Sequence, residues 1–487
     1  MAESKWVIEV KEMLDHMVDA TTEISHWNKR SIYKVPACVT DLNKKAYRPQ
    51  IVSFGPYHHG EAHFEPMEEH KQRALLHFLK RSGKPLESFV DSLQLVVEDL
   101  KNSYDLLDLE WQIDDTGDFL QMMIRDGCFM LEILRTSTHS FEDYVHNDPI
   151  FGSHGKLYIM PYIKRDMLML ENQLPMLVLE KLIAVETNNT KDEDYVNKLI
   201  IKFCSPGTHK HVSNMDKCLH VLDVYRKSLL HQEQPRKKTR HHRRLRKSVG
   251  DDDDHIIPTA TELHEAGIRF RRSQSFSLKD ITFKNGVLKL PLVVIDDATE
   301  SMFLNLMAFE RFHVGAGNEI TSYIFFMDNL IDNEKDVALL QSKGIIQNVM
   351  GSDKALAKLF NSLSNDITLD PESNLNIVHK QVNNYWKKPW NAWRANLMHT
   401  YFTNPWAILS LIAAFFLFAL TIVQTIYTVY PYYQDQSNSP PPPPLLAPPL
   451  AVAPGPSLPP QPMASPGHNP PPPPPMASPK HNPPPHH

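Results

Sequence analysis

The sequence has few cysteines, and no two of them form a C-x-x-C pair. The four are Cys38, Cys128, Cys204 and Cys218. A secreted scaffold built on disulfides is far denser in cysteine, and thiol metal or redox sites need short spacings. We therefore expect four free thiols in a reducing compartment, with Cys204 and Cys218 as the one pair that could be bridged.

The N-terminus lacks the uninterrupted apolar run of a secretory signal peptide, because Glu3, Lys5, Glu9 and Lys11 interrupt it. The chain also lacks an excess of positive charge, since its formal net charge is −6. No overall attraction to nucleic acid or anionic lipid follows from that charge. Any insertion into a membrane must be driven by a later segment.

The sequence contains none of the phosphate-binding or nucleophile motifs G-x-x-x-x-G-K-[ST], G-x-G-x-x-G and G-x-S-x-G. Nucleotide binding and hydrolase chemistry therefore lose their best markers. We expect no catalytic or cofactor-binding residues and no cofactor, and we identify no small-molecule substrate. The absence of motifs makes an enzyme less favoured without excluding one.

One long apolar run is present near the C-terminus. From Trp406 to Gln424 the chain has no charged residue, and apolar or weakly polar residues continue to Tyr430. A helix rises about 1.5 Å per residue, so about 20 residues cross a hydrocarbon core of about 30 Å. This predicts a transmembrane helix over residues 405–430, rather than a buried core helix of a soluble protein. Its predicted membrane core is Trp406, Leu409, Leu411, Phe415, Phe416, Leu417, Leu420 and Ile422.

The residues on either side of this run also favour a transmembrane helix, and they indicate its orientation in the membrane. Tryptophans such as Trp390 and Trp393 precede the run and several tyrosines follow it, as at the two interfaces of a membrane. Lys387, Lys388 and Arg394 precede it, and no Lys or Arg follows before residue 480. The positive-inside rule then predicts a single-pass protein with a cytosolic N-terminal domain, and we expect it in the plasma membrane.

Apolar residues three and four positions apart predict a mainly α fold before this helix. We expect an amphipathic helix within residues 1–30 and a large multi-helix domain over residues 31–400, with a few short strands. The predicted helices are 67–81, 86–109, 119–135, 167–184, 195–203, 216–230, 260–270, 301–311, 323–331, 334–342, 354–363 and 374–386. Short strands are predicted at 51–54 and, as a pair, within 281–295.

Two segments have the composition of chain that does not pack. The insertion at 231–256 contains eight cations followed by four aspartates, and blocks of like charge repel one another. It is a solvated loop, a patch that touches anionic lipid, or a nuclear-import or nucleic-acid patch. The possible interaction patch consists of Arg236, Lys237, Lys238, Arg240, Arg243, Arg244, Arg246 and Lys247.

The tail at 434–487 is rich in proline, which favours an extended helix without a core, so we expect it to be disordered. The tail is a spacer, a glycosylated segment like those of plant wall extensins if it is exported, or a ligand for SH3- or WW-like domains if it is cytosolic.

Two clusters have residue types found in catalytic or metal sites. Histidines 58, 59, 63 and 70 lie near several glutamates, but no H-E-x-x-H pattern occurs, and a hydrogen-bonded turn is favoured over a metal site. Asp166, Glu171, Asn172 and Gln173 could serve in acid–base chemistry, but buried polar groups that join helices are favoured. Cys128 is interpreted as a small buried apolar residue.

Several motifs, taken in order, resemble the plant domain of unknown function 247 family. They include IYKVP (32–36), YRPQIVSFGPYHHG (47–60), DGCFMLE (126–132), DMLMLENQLP (166–175) and YFTNPWAILSLIAA (401–414). The resemblance covers roughly residues 28–430; the basic insertion and the proline-rich tail depart from the family's usual pattern. It implies a mostly helical plant protein with one C-terminal membrane helix and no assigned activity. The motif positions are Tyr33, Pro36, Phe54, Gly55, Pro56, Tyr57, His58, Asp126, Gly127, Glu171, Asn172, Gln173 and Pro175.

The function that these observations favour is a membrane-anchored interaction or signalling module. Its expected partners are the lipid bilayer and an unidentified protein, and no specific nucleic acid. The alternative is a membrane-tethered enzyme with a pocket between Tyr47 and Glu69.

Overall fold

The computed structural model describes most of the chain in two compact units, Met1–Leu409 and Ser410–His487. The described residues are 5–15, 17, 29–41, 43–113, 116–138, 143–205, 215–231, 257–365, 367, 374–390, 393–394 and 405–437. The basic patch 236–247, nearly all of the insertion 231–256 and the tail beyond residue 437 lie outside the described residues. Of the helix predicted within residues 1–30, the described part is Lys5–Asp15.

Helices dominate the first half of the larger unit. They are α1 (Lys5–Asp15), α2 (Ala37–Thr40), α3 (Lys44–Tyr47), α4 (Glu65–Ser82), α5 (Leu86–Gln94), α6 (Val97–Asn102), α7 (Leu109–Ile113), α8 (Thr116–Arg135), α9 (Ser153–Tyr158), α10 (Met160–Met167), α11 (Met176–Thr187), α12 (Tyr195–Cys204) and α13 (Val221–Leu230), with a 3-10 turn at Ala62–Phe64. The prediction of a mainly helical fold with few short strands is confirmed.

Helix α8 is the central element of this half, and α4, α5, α11 and α12 pack against it. Nearly every side chain from Phe119 to Arg135 is buried. Helix α4 begins with a proline in its first turn and ends at Gly83 in the left-handed conformation, two features that favour a helix start and a helix stop. The motif segments before α4 and after α10 are therefore held against a rigid helical framework.

The second half combines short strands with further helices. They are α14 (Ala260–Glu265), β1 (Arg269–Arg272), β2 (Thr282–Lys284), β3 (Val287–Leu290), β4 (Val293–Ile295), α15 (Thr299–Phe312), α16 (Glu319–Leu330), α17 (Glu334–Ser342), β5 (Ile346–Asn348), α18 (Asp353–Leu363) and α19 (Asn374–Trp386). One sheet has the order β1-β3-β2, and β4 pairs with β5 in a second sheet.

The β2–β3 hairpin turns at Asn285 and Gly286, with φ of 50° and 72°. Two-residue turns of this kind need positive φ at both positions, which Asn-Gly supplies at least cost. Strand β3 also pairs in parallel with β1, from Arg269 opposite Val287 to Arg272 opposite Leu290. The three strands bury Phe270, and the leucines of β3, against the domain.

Five predicted elements differ from the structure. The pair of strands predicted within 281–295 is three strands, β2, β3 and β4. Residues 86–109 form two helices and an irregular stretch that passes through Leu106 at φ 50°. The predicted helix at 167–184 is interrupted between α10 and α11. Helix α14 ends at Glu265 because Gly267 has φ 95°, and Phe270 belongs to β1. Residues 51–54 form no strand, since side chains instead of a neighbouring strand bind their amides.

Candidate functional site

The motif residues hold the irregular segment 50–58 inside the domain. The carboxylate of Asp166, at the end of α10, accepts N–H hydrogen bonds from Gln50 (3.0 Å), Ile51 (2.8 Å) and Val52 (3.1 Å). Asp166 is fully buried, and that burial raises the pKa of its carboxyl to about 6, against the lowering effect of the three donors. Three amides that a strand would bind are thus bound by one side chain.

Asn172 and Gln173 continue this replacement of backbone partners by side chains. Asn172 Oδ1 accepts the N–H of Phe54 at 2.6 Å, and its Nδ2 donates to the carbonyl of Val52 at 3.0 Å. Gln173 donates to nearby carbonyls, and its Oε1 accepts the N–H of Leu222 at 3.1 Å. Both side chains are fully buried. They connect the segment before α4 to the start of α13.

His58 lies between two carboxylates. Its Nδ1 is 2.8 Å from Glu61 Oε1, and its Nε2 is 3.2 Å from Glu171 Oε2. Burial lowers the pKa of His58, but hydrogen bonds to Glu171 and Glu61 raise it by more, so the pKa lies above its ordinary value. Glu171 also accepts the N–H of Val35 at 2.6 Å, and Glu61 pairs with Arg48 at 2.6 Å.

A second charged cluster lies behind this segment, between α4 and α8. Lys71 Nζ is 2.8 Å from Asp126 Oδ1 and 2.6 Å from Glu68 Oε1. The other Asp126 oxygen accepts the N–H of Gly55 at 2.9 Å, and Arg125 pairs with Glu68 at 3.0 Å. A buried lysine is stable when charged only if a carboxylate compensates for its lost hydration, and Asp126 does so.

The remaining motif positions are two glycines, two tyrosines and three prolines. Gly55 has φ 74°, and a Cβ there would lie 2.8 Å from Tyr104 Oη, while one at Gly127 would lie 2.6 Å from Leu182 Cδ1. The Tyr57 hydroxyl lies within hydrogen-bond distance of the carbonyls of Ile32 and Asp105, which joins the segment before α2 to the loop after α6. The others are Tyr33, which donates to the carbonyl of Arg30, Pro56, which follows Gly55, and Pro36 and Pro175, which precede α2 and α11.

Lys71 was not singled out by the sequence analysis, although the sequence contains a signal for it. It follows Met67 by four positions and precedes Ala74, Leu75 and Phe78, so it occupies the apolar stripe of α4. A lysine in such a stripe is buried only where a carboxylate meets it. Its partner, Asp126, lies at a core position of α8, which is equally unusual for a charged residue.

The larger unit has three notable hollows. One, of about 320 Å³, lies between α15 and α18 and is lined by Tyr47, Glu310 and Arg311 among others. Another of about 320 Å³ lies beside α10 and includes Lys164. An open depression of about 410 Å³, lined by Lys44, Lys45, Arg48, Pro49, Gln50 and His63, lies in the region where the alternative enzyme pocket is predicted.

The described residues provide no group suited to metal binding, and three of the four cysteine thiols are buried. Among these residues, no group of three or more His, Cys, Asp or Glu side chains could hold a metal ion. Cys38 is exposed, and Cys128, Cys204 and Cys218 are buried free thiols. Burial raises the pKa of the Cys204 and Cys218 thiols to about 12, so neither forms a thiolate near neutral pH.

The predicted membrane residues lie on one long helix, α20 (Pro405–Ser437). Its stretch Ile408–Tyr430 has 23 residues and a mean hydropathy of 2.3, and none of its most apolar window is buried. Leu417 is 66% exposed and Phe415 70%. Hydroxyls within it are satisfied internally, since Thr421 donates to the Leu417 carbonyl at 2.8 Å. The helix is long and apolar enough to cross a membrane.

The residues that precede this helix are exposed aromatic and basic side chains. Trp390 and Trp393 have ring centroids 5.3 Å apart and are 72% and 56% exposed. Lys388 Nζ lies over the ring of Tyr385, 5.5 Å from its centroid. Arg394 packs over Gly267, where a Cβ would lie 2.7 Å from its Nη1.

Comparisons with known proteins agree on one family. Residues 32–420 match a family described as a plant protein of unknown function, domain of unknown function 247. "UPF0481 protein At3g47200" of Arabidopsis thaliana is 32% identical over 430 residues, which is 84% of this chain and 88% of that protein. "Putative UPF0481 protein At3g02645" of the same plant is 23% identical over 524 residues, 87% of this chain and 94% of that protein. No solved structure matches the chain.

Proposed function

This chain belongs to the plant domain of unknown function 247 family, and from that premise we propose that it is a single-pass membrane protein whose helical domain binds another protein at the membrane surface. Its molecular activity is recognition or signalling rather than catalysis. The family has no activity that could be transferred to this chain, so the proposal rests on the chain's own features.

The exposure of α20 is the observation that carries this proposal. Large apolar side chains such as Phe415, Phe416 and Leu417 are all more than 60% exposed on it. In water each such side chain would cost about 1.5–3 kcal/mol relative to an apolar environment. A bilayer removes that cost, and the helix satisfies its own backbone hydrogen bonds, which lipid requires.

The cations before α20 support a cytosolic domain. Lys387, Lys388 and Arg394 precede the helix, and no Lys or Arg follows it before residue 480. Positive charges near a span are retained on the cytosolic side, so the helical domain faces the cytosol and the proline-rich tail faces outward. We place the protein in the plasma membrane, where such a tail would reach the cell wall.

The contacts of the buried motif carboxylates favour a recognition function over an enzyme with a pocket between Tyr47 and Glu69. A general base needs a free lone pair that faces a substrate. Asp166 accepts three amide hydrogen bonds, Glu171 binds His58 and an amide, and Asp126 binds Lys71 and Gly55. These carboxylates hold the fold of the segment, and their substitution would be felt first as a loss of stability.

Protease protection of sealed microsomes tests the topology. The full chain would carry one epitope tag before residue 1 and another after residue 487. The proposal predicts that protease added outside removes the N-terminal tag and that the C-terminal tag survives until detergent is added. Protection of the N-terminal tag would show that the orientation is the opposite of the one proposed. Loss of both tags would contradict a single crossing of the membrane.

A further inference from the structure

Four of the six residues on one face of the β1-β3-β2 sheet are cations. Paired residues of neighbouring strands point to the same side of a sheet. Arg269 of β1 pairs with Val287 of β3, which pairs with Lys284 of β2. One step along, Arg271 pairs with Lys289, which pairs with Thr282 on β2. Arg269, Arg271, Lys284 and Lys289 therefore share the face opposite the buried one; we name them the cationic sheet face.

The charges of the cationic sheet face are not compensated by a carboxylate among the described residues. The six residues of the face include no Asp or Glu, and all four cations are exposed. In the part of the chain that the structure describes, none of the four forms an ion pair. Arg271 and Lys289 lie directly opposite each other, an arrangement that is unfavourable between like charges unless an anion lies over them.

The sheet is in contact with α19 and with Arg394, near the C-terminal end of the larger unit. Tyr385 of α19 packs its ring on Phe283 with centroids 5.5 Å apart, and its hydroxyl lies where a Cβ of Gly286 would be 2.8 Å away. Arg394 packs over Gly267, two residues before β1. The sheet is therefore packed, through the side opposite the cationic sheet face, against the segment from which the chain continues toward α20.

That segment limits how far the sheet can lie from a membrane. Residues 395–404 separate Arg394 from Pro405, and an extended chain of this length spans at most about 40 Å. The exposed pair Trp390 and Trp393 belongs to the same segment, and indole rings favour the headgroup region. Cations tethered to the anchored helix are attracted to anionic headgroups when they come within a Debye length, about 10 Å.

We propose that the cationic sheet face docks on the anionic phospholipid headgroups of the membrane that α20 spans. This inference rests on the membrane anchorage proposed above and adds to it a defined contact surface. The four cations supply electrostatic attraction to the headgroups without a specific binding pocket. Docking fixes the orientation of the helical domain relative to the bilayer, and so determines which of its other surfaces a protein partner can reach.

Lysine acetylation of the full chain in lipid nanodiscs tests the docking. The discs would contain phosphatidylcholine alone or phosphatidylcholine mixed with phosphatidylserine, and mass spectrometry would follow each lysine. We expect Lys284 and Lys289 to react at least about threefold more slowly in the anionic discs than in discs of phosphatidylcholine alone. High salt should abolish this difference. Lys80 of α4 and Lys202 of α12, both exposed, serve as internal controls whose rates should not change.

A matched pair of variants separates this surface from general electrostatics. Arg269→Gln/Arg271→Gln should abolish the lipid-dependent protection of Lys284 and Lys289, whereas Lys80→Gln/Lys202→Gln should retain it. Equal acetylation rates for Lys284 in the two kinds of disc would overturn the docking. Co-elution of the chain with the discs reports anchorage separately, so an anchored chain without protection refutes this inference alone, and a chain that does not co-elute refutes the anchorage as well.

Discussion

Lys71 and Asp126 form an ion pair inside the helical domain, with 2.8 Å between Nζ and Oδ1 and both side chains fully buried. The pair joins α4 to α8, and the second oxygen of Asp126 binds the amide of Gly55. The position of the motif segment thus depends on a charge pair that water does not reach.

Replacement of Lys71 by methionine should destabilise the domain by about 3–5 kcal/mol, because it leaves the Asp126 carboxylate buried without its cation. The double variant Lys71→Met/Asp126→Asn should be more stable than Lys71→Met alone, since it removes the uncompensated charge. Denaturant unfolding of the detergent-solubilised full chain measures both. Additive losses in the double variant would show that the two side chains are not coupled.

Substitution of two glycines in one motif separates backbone strain from close packing. Gly55 and Gly60 have φ of 74° and 76°, but a Cβ at Gly55 would approach Tyr104 Oη and the Gln173 carbonyl, whereas one at Gly60 meets nothing within 4 Å. Gly60→Ala should lower the free energy of unfolding by about 1–2 kcal/mol, the cost of holding alanine in the left-handed backbone conformation. Gly55→Ala should cost clearly more, because it also displaces the Tyr104–Gln173 hydrogen bond. Equal changes in melting temperature would contradict this packing.

The His58 cluster predicts a pH dependence of stability. Because the folded-state pKa of His58 is raised, its protonation stabilises the fold fully below the unfolded pKa of about 6.5, and this contribution is lost as pH rises through the folded value. The melting temperature should therefore fall as the pH rises above about 6.5, and His58→Gln should flatten that slope. Histidines with a lowered pKa, such as His220 at about 4, have the opposite effect, because they stabilise the fold as pH rises toward about 6.5 and add little change above it. An unchanged slope in His58→Gln would contradict the cluster's assigned role.

Local patterns predicted the helices because a helix is determined mainly by residues close in sequence. The range 334–342 coincides with α17, whose start is fixed by Asn333 and Asp336 in a reciprocal capping arrangement. The apolar stripe of α4 and the uncharged run of α20 are equally local. Family membership was also predictable, because the order of several motifs is far more specific than any one motif.

What the sequence did not predict depends on residues distant in the chain. Residues 51–54 read as a strand, yet Asp166 and Asn172, more than 110 positions away, bind their amides. Phe270 continues the helical pattern of α14, but pairing with Leu288 draws it into a strand. The cationic sheet face could not be predicted for the same reason, since its four cations share a face only through the register of three strands.

A charge in the middle of α20 should oppose membrane insertion. Leu417→Arg places a cation near the centre of Ile408–Tyr430, at a cost of about 2.5–3.5 kcal/mol on scales of helix insertion. Tyr430→Arg is the matched control, because an arginine at the end of the apolar stretch can extend its guanidinium into the headgroup region. We expect the inserted fraction of Leu417→Arg in microsomes to fall and that of Tyr430→Arg to remain near wild type. Equal insertion of the two would mean that lipid does not surround residue 417.

Extraction of membranes with alkaline carbonate tests the anchorage most directly. The full chain, expressed in plant cells, would be separated into pellet and supernatant without detergent and then with it. An apolar helix that spans the bilayer keeps the protein in the pellet until detergent dissolves the lipid, and this is the result that we predict. Release of the protein into the carbonate supernatant would show that α20 does not cross a membrane, and the proposed anchored function would be wrong.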